Sequence, residues 1–270
     1  MYNKTKVKRG DIINCHIQVP RFILKNFEGE KNSFFYYNVE KGFIGNNGHS
    51  KTLYTKEDYY SQRIERYLSR HYEQPFSEIV NFIKDGVSDG IDHKEINSDI
   101  ESICIGFIKM LVARDEYIYH KAKERMIHTQ FAKRNLKSTQ FQHDTVVALS
   151  LNNLNNFPYI DSRFVTFSIN QTTTPFVLPT LDVIEYSFGP YNCVSVAITP
   201  ELLVTLIDKK HLNDFVFDDG CIRFIPLIDT HDIMVFNETA FNNQKKRGYG
   251  YVVSSDLAVL EELKKGEVLQ

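Results

Sequence analysis

The spacing of apolar residues changes character near residue 156, and that change limits the fold more than any other feature of the sequence. Before it, apolar side chains recur at the three- and four-residue intervals of an amphipathic helix. Tyr60, Ile64, Tyr67, Leu68, His71 and Tyr72 form one stripe, and Phe76, Ile79, Val80 and Ile83 form a second. Pro75 lies between them and is expected to separate two helices or to start the second. Ile100, Ile103, Cys104, Phe107, Leu111, Arg114 and Ile118 outline a longer helix, capped by Asn97 or Ser98 and reaching about Lys123. A further helix is expected over 144–154. After the change, short runs at 163–169, 174–178, 193–198, 202–207 and 221–225 are rich in β-branched and aromatic residues. Pro, Gly, Asn and Asp separate them, as they separate strands. Helical pieces at 233–246 and 256–264 close the chain. Helices grouped before strands, rather than alternating with them, predict an α+β fold: a helical layer packed on a mainly antiparallel sheet built largely from the C-terminal half. The 270 residues read as a single domain, with the N-terminal signature and helices over residues 1–156 and a strand-rich region over residues 157–270.

Ahead of the helices, Pro20 is expected to start a short helix reaching Phe27, because a first-turn proline gives up no intrahelical hydrogen bond. Residues 33–44 read as strands joined at Glu40-Lys41-Gly42. The four cysteines, Cys15, Cys104, Cys193 and Cys221, are scattered and form no Cys-x-x-Cys pair, which argues against a zinc ribbon or a secreted disulfide framework. A chain this long needs neither staple to hold a core, so reduced thiols in a cytoplasm are expected. The basic start, MYNKTKVKRGDII, has no apolar stretch of the secretory kind. No run approaches the roughly 18 apolar residues of a membrane span. The Asn-x-Ser/Thr matches at Asn3, Asn170 and Asn237 therefore carry no weight as glycan acceptors. A net charge of −2 does not mark the whole chain as a nucleic-acid binder, although it leaves room for a local basic groove.

Arg114 is the most informative single residue. It lies on the apolar stripe of its helix, and a guanidinium cannot shed its proton, so burial there demands an acidic partner or a bound anion. Glu65 and Glu73 flank the stripes of the neighbouring helical segment and are the candidates. Two readings stay open: an arginine tying helices together, or an anion clamp for phosphate or carboxylate. His16, just before the proline-led helix, is a candidate base. With Glu65 and Glu73 it makes three metal-competent side chains, but without a local spacing such as His-Glu-x-x-His no metal site is assigned, and no cofactor is indicated. An arginine and a histidine four to six residues apart, as in some ribonucleases, occur at Arg114-Asp115-x4-His120 and Arg66-x4-His71; Arg9 with His16 also fits, so the pattern is permissive. No Gly-x-Ser-x-Gly elbow, P-loop or dinucleotide fingerprint occurs. Gly248-Tyr249-Gly250-Tyr251 reads as a basic helix end followed by a turn into Val252-Val253.

The segment His16-Ile17-Gln18-Val19-Pro20-Arg21-Phe22-Ile23-Leu24-Lys25-Asn26-Phe27 resembles the opening signature of a family known as domain of unknown function 4238. Phe35 to Val39 resembles that family's early strand, and Tyr59-Tyr60-Ser61 its Tyr-Tyr-Ser element. Glu65 and Glu73 fall where the family carries helical acidic residues, Arg114 at its long-helix arginine, and Asn237 near its late asparagine. The chain departs from the pattern at Phe176-Val177-Leu178-Pro179-Thr180-Leu181-Asp182, where many relatives carry a Thr-Ser-Asp-Asn-Pro-like stretch. The resemblance implies no assigned reaction. Its scattered occurrence in bacteria, fungi and viruses implies a setting of conflict between microbes and mobile elements.

Two function classes follow. One is an intracellular hydrolase acting on nucleic acid or nucleotides, with Arg114 holding an anion, His16 moving a proton, and Glu65 and Glu73 completing the site. The other is a non-catalytic module that holds a protein or nucleic acid. Arg21, Tyr59 and Tyr60 are the expected binding residues in either case. Arg21 sits in the first turn of its helix, where the dipole disfavours a cation unless an anion compensates.

Overall fold

The computed structural model describes residues 14–16, 18–57, 59–115, 124, 139–153, 158–180, 183–217 and 221–266. In chain order the elements begin with β1 (Asn14–His16), α1 (Arg21–Asn26), β2 (Phe34–Asn38), β3 (Phe43–Gly48) and β4 (Thr55–Glu57). Next come α2 (Gln62–Leu68), a π-helical turn (Ser69–Glu73), α3 (Gln74–Ser88), β5 (His93–Lys94) and α4 (Ser98–Arg114). Then follow α5 (Thr139–Asn153), α6 (Pro158–Asp161), β6 (Arg163–Asn170), β7 (Leu178–Pro179) and β8 (Ile184–Phe188). The remainder is β9 (Tyr191–Thr199), β10 (Leu202–Asp208), β11 (Ile222–Arg223), β12 (Ile225–Leu227), α7 (Thr230–Arg247), β13 (Tyr251–Ser254) and α8 (Leu257–Lys265). This is the α+β arrangement expected from the change in period.

The main sheet runs β12-β6-β10-β9-β8, and only the β12–β6 pair is parallel. Every residue of β6 is buried, so this strand is covered on both faces. Its polar side chains are satisfied across the sheet: the Thr205 hydroxyl lies 2.9 Å from Ser168 Oγ and accepts from Ser195 Oγ at 2.9 Å. α4 packs on β6, and α7 on β8.

A second sheet, β3-β2-β13-β7, joins the early hairpin to the late strand β13, so the sheets are not confined to the C-terminal half. The hairpin turns where expected, with Gly42 at φ +63° and Lys41 N–H donating to Asn38 Oδ1 at 2.9 Å. On β3, Gly45 and Gly48 lie beneath the rings of Tyr36 and Phe34. A Cβ at either glycine would come within 2.3 Å of a ring carbon, so the close approach requires glycine. The run 174–178 differs from expectation, since only Leu178 and Pro179 pair as a strand. Asn237 of α7 supplies the missing bonds: its Oδ1 accepts from Val177 N–H and its Nδ2 donates to the Pro175 carbonyl, both at 2.9 Å. The run 221–225 divides between β11, paired with β5, and β12, paired with β6.

The helices begin where capping chemistry allows. The Ser61 hydroxyl accepts from Ile64 N–H at 3.3 Å, and Asn97 Oδ1 accepts from Asp99 and Ile100 N–H at 3.1 and 3.0 Å. Pro20 occupies the cap position of α1, one residue before the first helical turn. The Phe22 ring packs at an angle against the stacked pair of Phe76 of α3 and Phe107 of α4, whose rings lie 3.8 Å apart. Pro75 stands in the first turn of α3, one of its two expected places, but no break precedes it. The chain stays helical from Gln62 to Ser88, and the π turn just before the proline replaces the regular turn with which its ring would clash. Tyr67 and His71 face solvent rather than extending the apolar stripe. α4 is described to Arg114, and its expected continuation through Ile118 to Lys123 lies outside the described residues. No described helix is long and apolar enough to cross a membrane.

Candidate functional site

Arg114 is the last residue of α4, on the face that packs inward, and its side chain is 1% exposed. Nη1 donates to Glu73 Oε1 at 2.8 Å and approaches Met110 Sδ at 3.8 Å. The guanidinium carbon lies 5.8 Å from the centre of the Tyr60 ring. Nε and Nη2 are also buried, and neither has a hydrogen-bond acceptor among the described residues. Burial by itself would lower the pKa of the guanidinium, but Glu73, Tyr60 and Glu65 more than offset it, so the net shift is upward and the group stays charged.

Glu73 reaches Arg114 because of the π turn. Eight residues of regular α-helix turn through about 800°, which would leave Glu73 roughly 80° around the axis from Glu65. The π turn absorbs about one extra residue, so the two carboxylates return to within roughly 20° of one face. The turn's defining bond, Gln74 N–H to the Ser69 carbonyl, closes directly after Glu73. Both glutamates are half-buried and act on the charge of Arg114.

His16 ends β1, where it pairs with Thr55 of β4. Its Nδ1 is buried with no hydrogen-bond partner among the described residues. Burial first, then the positive charges of Arg114 and Arg21, push its pKa down to about 4. The imidazole is therefore neutral at physiological pH. Arg21 itself is exposed and makes no ion pair with Glu65 or Glu73, so it borders the cluster as a source of positive potential.

The structure thus brings together His16, Tyr60, Glu65, Glu73 and Arg114, with Arg21 at the margin. Tyr59 is directed elsewhere: its ring stacks on His143 of α5 at 3.6 Å, and its carbonyl lies 2.9 Å from His143 Nδ1. Asp144 Oδ1 accepts from Ser61 N–H at 2.8 Å. His143 and Asp144 therefore anchor the Tyr-Tyr-Ser element, a role that no short-range spacing reveals because the partners are more than eighty residues apart. Among the described residues no three His, Cys, Asp or Glu side chains form a metal-binding group. The neighbouring Asp115 accepts from Arg247 Nη1 at 2.6 Å, tying the end of α4 to the end of α7. His120 and Asp182 lie outside the described residues. Gly248, at φ +75°, ends α7 and leads into β13, so the Gly-Tyr-Gly-Tyr stretch is the expected helix stop and turn.

A groove of about 1010 Å³ opens beside this region, between α5 and the helix formed by α2 and the π turn. Arg66 and His71, one of the arginine–histidine pairs, both line it.

Compared with known families, residues 16–240 match the model of a protein family of unknown function, DUF4238. No curated protein and no solved structure matches the chain.

Proposed function

This chain belongs to the DUF4238 family of proteins of unknown function, and we propose that the Arg114 cluster is the oxyanion-binding centre of a hydrolase acting on phosphate esters of nucleotides or nucleic acids. One observation carries this reading. Among the described residues Arg114 bonds only through Nη1, and its buried Nε and Nη2 have no acceptor there. Those two nitrogens form the side-on fork of a guanidinium, whose parallel N–H bonds match two oxygens of a phosphate or carboxylate. Each buried donor without a partner costs about 1–3 kcal/mol, a penalty that a bound oxyanion removes.

His16 supports a phosphate ester over a simple carboxylate. Two of the three causes depressing its pKa are the charges of Arg114 and Arg21. A multiply charged anion on the fork would counter both and raise the imidazole toward neutrality, where a base that activates water is most effective. Glu73 orients the guanidinium, and Glu65 provides a second carboxylate on the same face.

Arg114→Lys tests the reading, because it keeps the charge and loses the fork. Phosphate and nucleoside phosphates should raise the melting temperature of the wild-type protein and have at least tenfold weaker affinity for the variant. Equal binding by a folded Arg114→Lys protein would remove the clamp. A non-catalytic binding module is the second reading, favoured by the Arg114–Glu73 contact at 2.8 Å, which also ties α4 to the π turn. His16→Gln separates the two: loss of turnover with retained anion binding supports the hydrolase, whereas anion binding without turnover by either protein supports the module.

A further inference from the structure

We propose that the groove between α2, the π turn and α5 binds single-stranded nucleic acid, with Arg63, Arg66 and Arg70 on the phosphates and Tyr67 beneath a base. This deepens the reading of the Arg114 cluster by naming a polymeric substrate, and its test can fail separately. The three arginines are exposed, line the groove and make no ion pair among the described residues. They recur over about 10 Å of one helix edge, given the 1.5 Å rise per residue. Asp144 is the one acidic side chain lining the groove among the described residues, and its Oδ1 already accepts from Ser61 N–H. Among the described residues the lining therefore presents a net positive charge, although the whole chain is slightly negative.

The same groove has apolar surface within the arginine edge. Tyr67 is 44% exposed and Leu149 42% exposed, and both line it. Tyr67 is braced on one side by His71, with ring centres 4.5 Å apart, and by Tyr72 at 6.1 Å. An exposed, braced ring beside a row of cations is the arrangement used for unpaired bases, since every base offers a π-face while its phosphates meet the arginines. A duplex keeps its bases stacked inside and would leave the apolar surface unused. The groove also adjoins the cluster: Ser61 lines it, and the preceding Tyr60 faces Arg114.

The experiment measures fluorescence anisotropy of the full chain with labelled 15-nucleotide oligo-dT and oligo-U between 50 and 200 mM NaCl. Binding should weaken with salt. The exposed triple variant Arg63→Gln/Arg66→Gln/Arg70→Gln should bind at least tenfold more weakly at 50 mM NaCl and lower the log–log salt slope by about 2, from roughly 0.7 per lost phosphate contact. Tyr67→Ala should weaken binding about fivefold or more at every salt concentration. Inorganic phosphate, followed by its shift of the wild-type melting temperature, reads the Arg114 cluster separately from oligonucleotide binding, so failure of the groove and failure of the cluster are distinguishable. No oligonucleotide binding at 50 mM NaCl, or unchanged affinity in the folded triple variant, would overturn the proposal. Equally tight binding of duplex DNA or polyglutamate would overturn the single-strand assignment.

Discussion

The two members of the Arg114–Glu73 pair differ in what their removal leaves behind. Glu73 is 21% exposed and can hydrate, whereas Arg114 cannot. Glu73→Ala strands a buried charge and should cost about 3–5 kcal/mol, measured by urea unfolding. Arg114→Met fills similar space without a charge and should cost less; the reverse order would refute this account of the pair. His16 gives the cluster a pH signature. Its folded pKa, about 4, lies below the ordinary value of 6.5, so the unfolded chain takes up the proton first as pH falls. Its stabilising contribution is complete above about pH 6.5 and is lost progressively down to about pH 4, by at most roughly 3 kcal/mol. His16→Gln should flatten the stability profile across that interval, with ΔG from denaturant titrations as the readout. An unchanged acid slope would show that His16 does not titrate there.

Among the elements, the π turn does the most to assemble the cluster, since it returns Glu73 to the face of Glu65. The apolar stripe did not disclose it, because a single five-residue turn shifts the period without ending the helix. Asn237 has a comparable local influence on α7, where its amide stands in for a strand neighbour of residues 175–177. Asn237→Leu would leave the Val177 N–H and the Pro175 carbonyl buried without their present partners. A loss of roughly 2–6 kcal/mol is expected in urea titrations, at about 1–3 for each of the two stranded groups. Wild-type stability in that variant would mean that the loop finds other partners.

Across the whole molecule, the early hairpin and the late strand β13 share one sheet, and Asn26 at the end of α1 donates to the Ile198 carbonyl of β9 at 3.0 Å. Neither 1–156 nor 157–270 is therefore expected to fold alone. Separately expressed halves should lack a cooperative thermal transition, while the full chain should unfold with coincident far-ultraviolet dichroism and tyrosine fluorescence. A cooperative melt from either isolated half would show that it is an independent unit.

Much of the local structure was legible in the sequence. Pro20 and Asn97 marked helix starts, Gly42 and Gly248 marked turns, and the change in period separated helices from strands. Arg114 was readable as a buried cation needing a partner. These features act within a few residues, through φ preference, capping and side-chain period. Tertiary structure alone decided that Glu73 bonds Arg114, that His16 is neutral, that Tyr59 turns to His143, and that Arg63, Arg66 and Arg70 border a groove. Those outcomes depend on desolvation and charge contributed by segments distant in the chain, which local spacing does not encode.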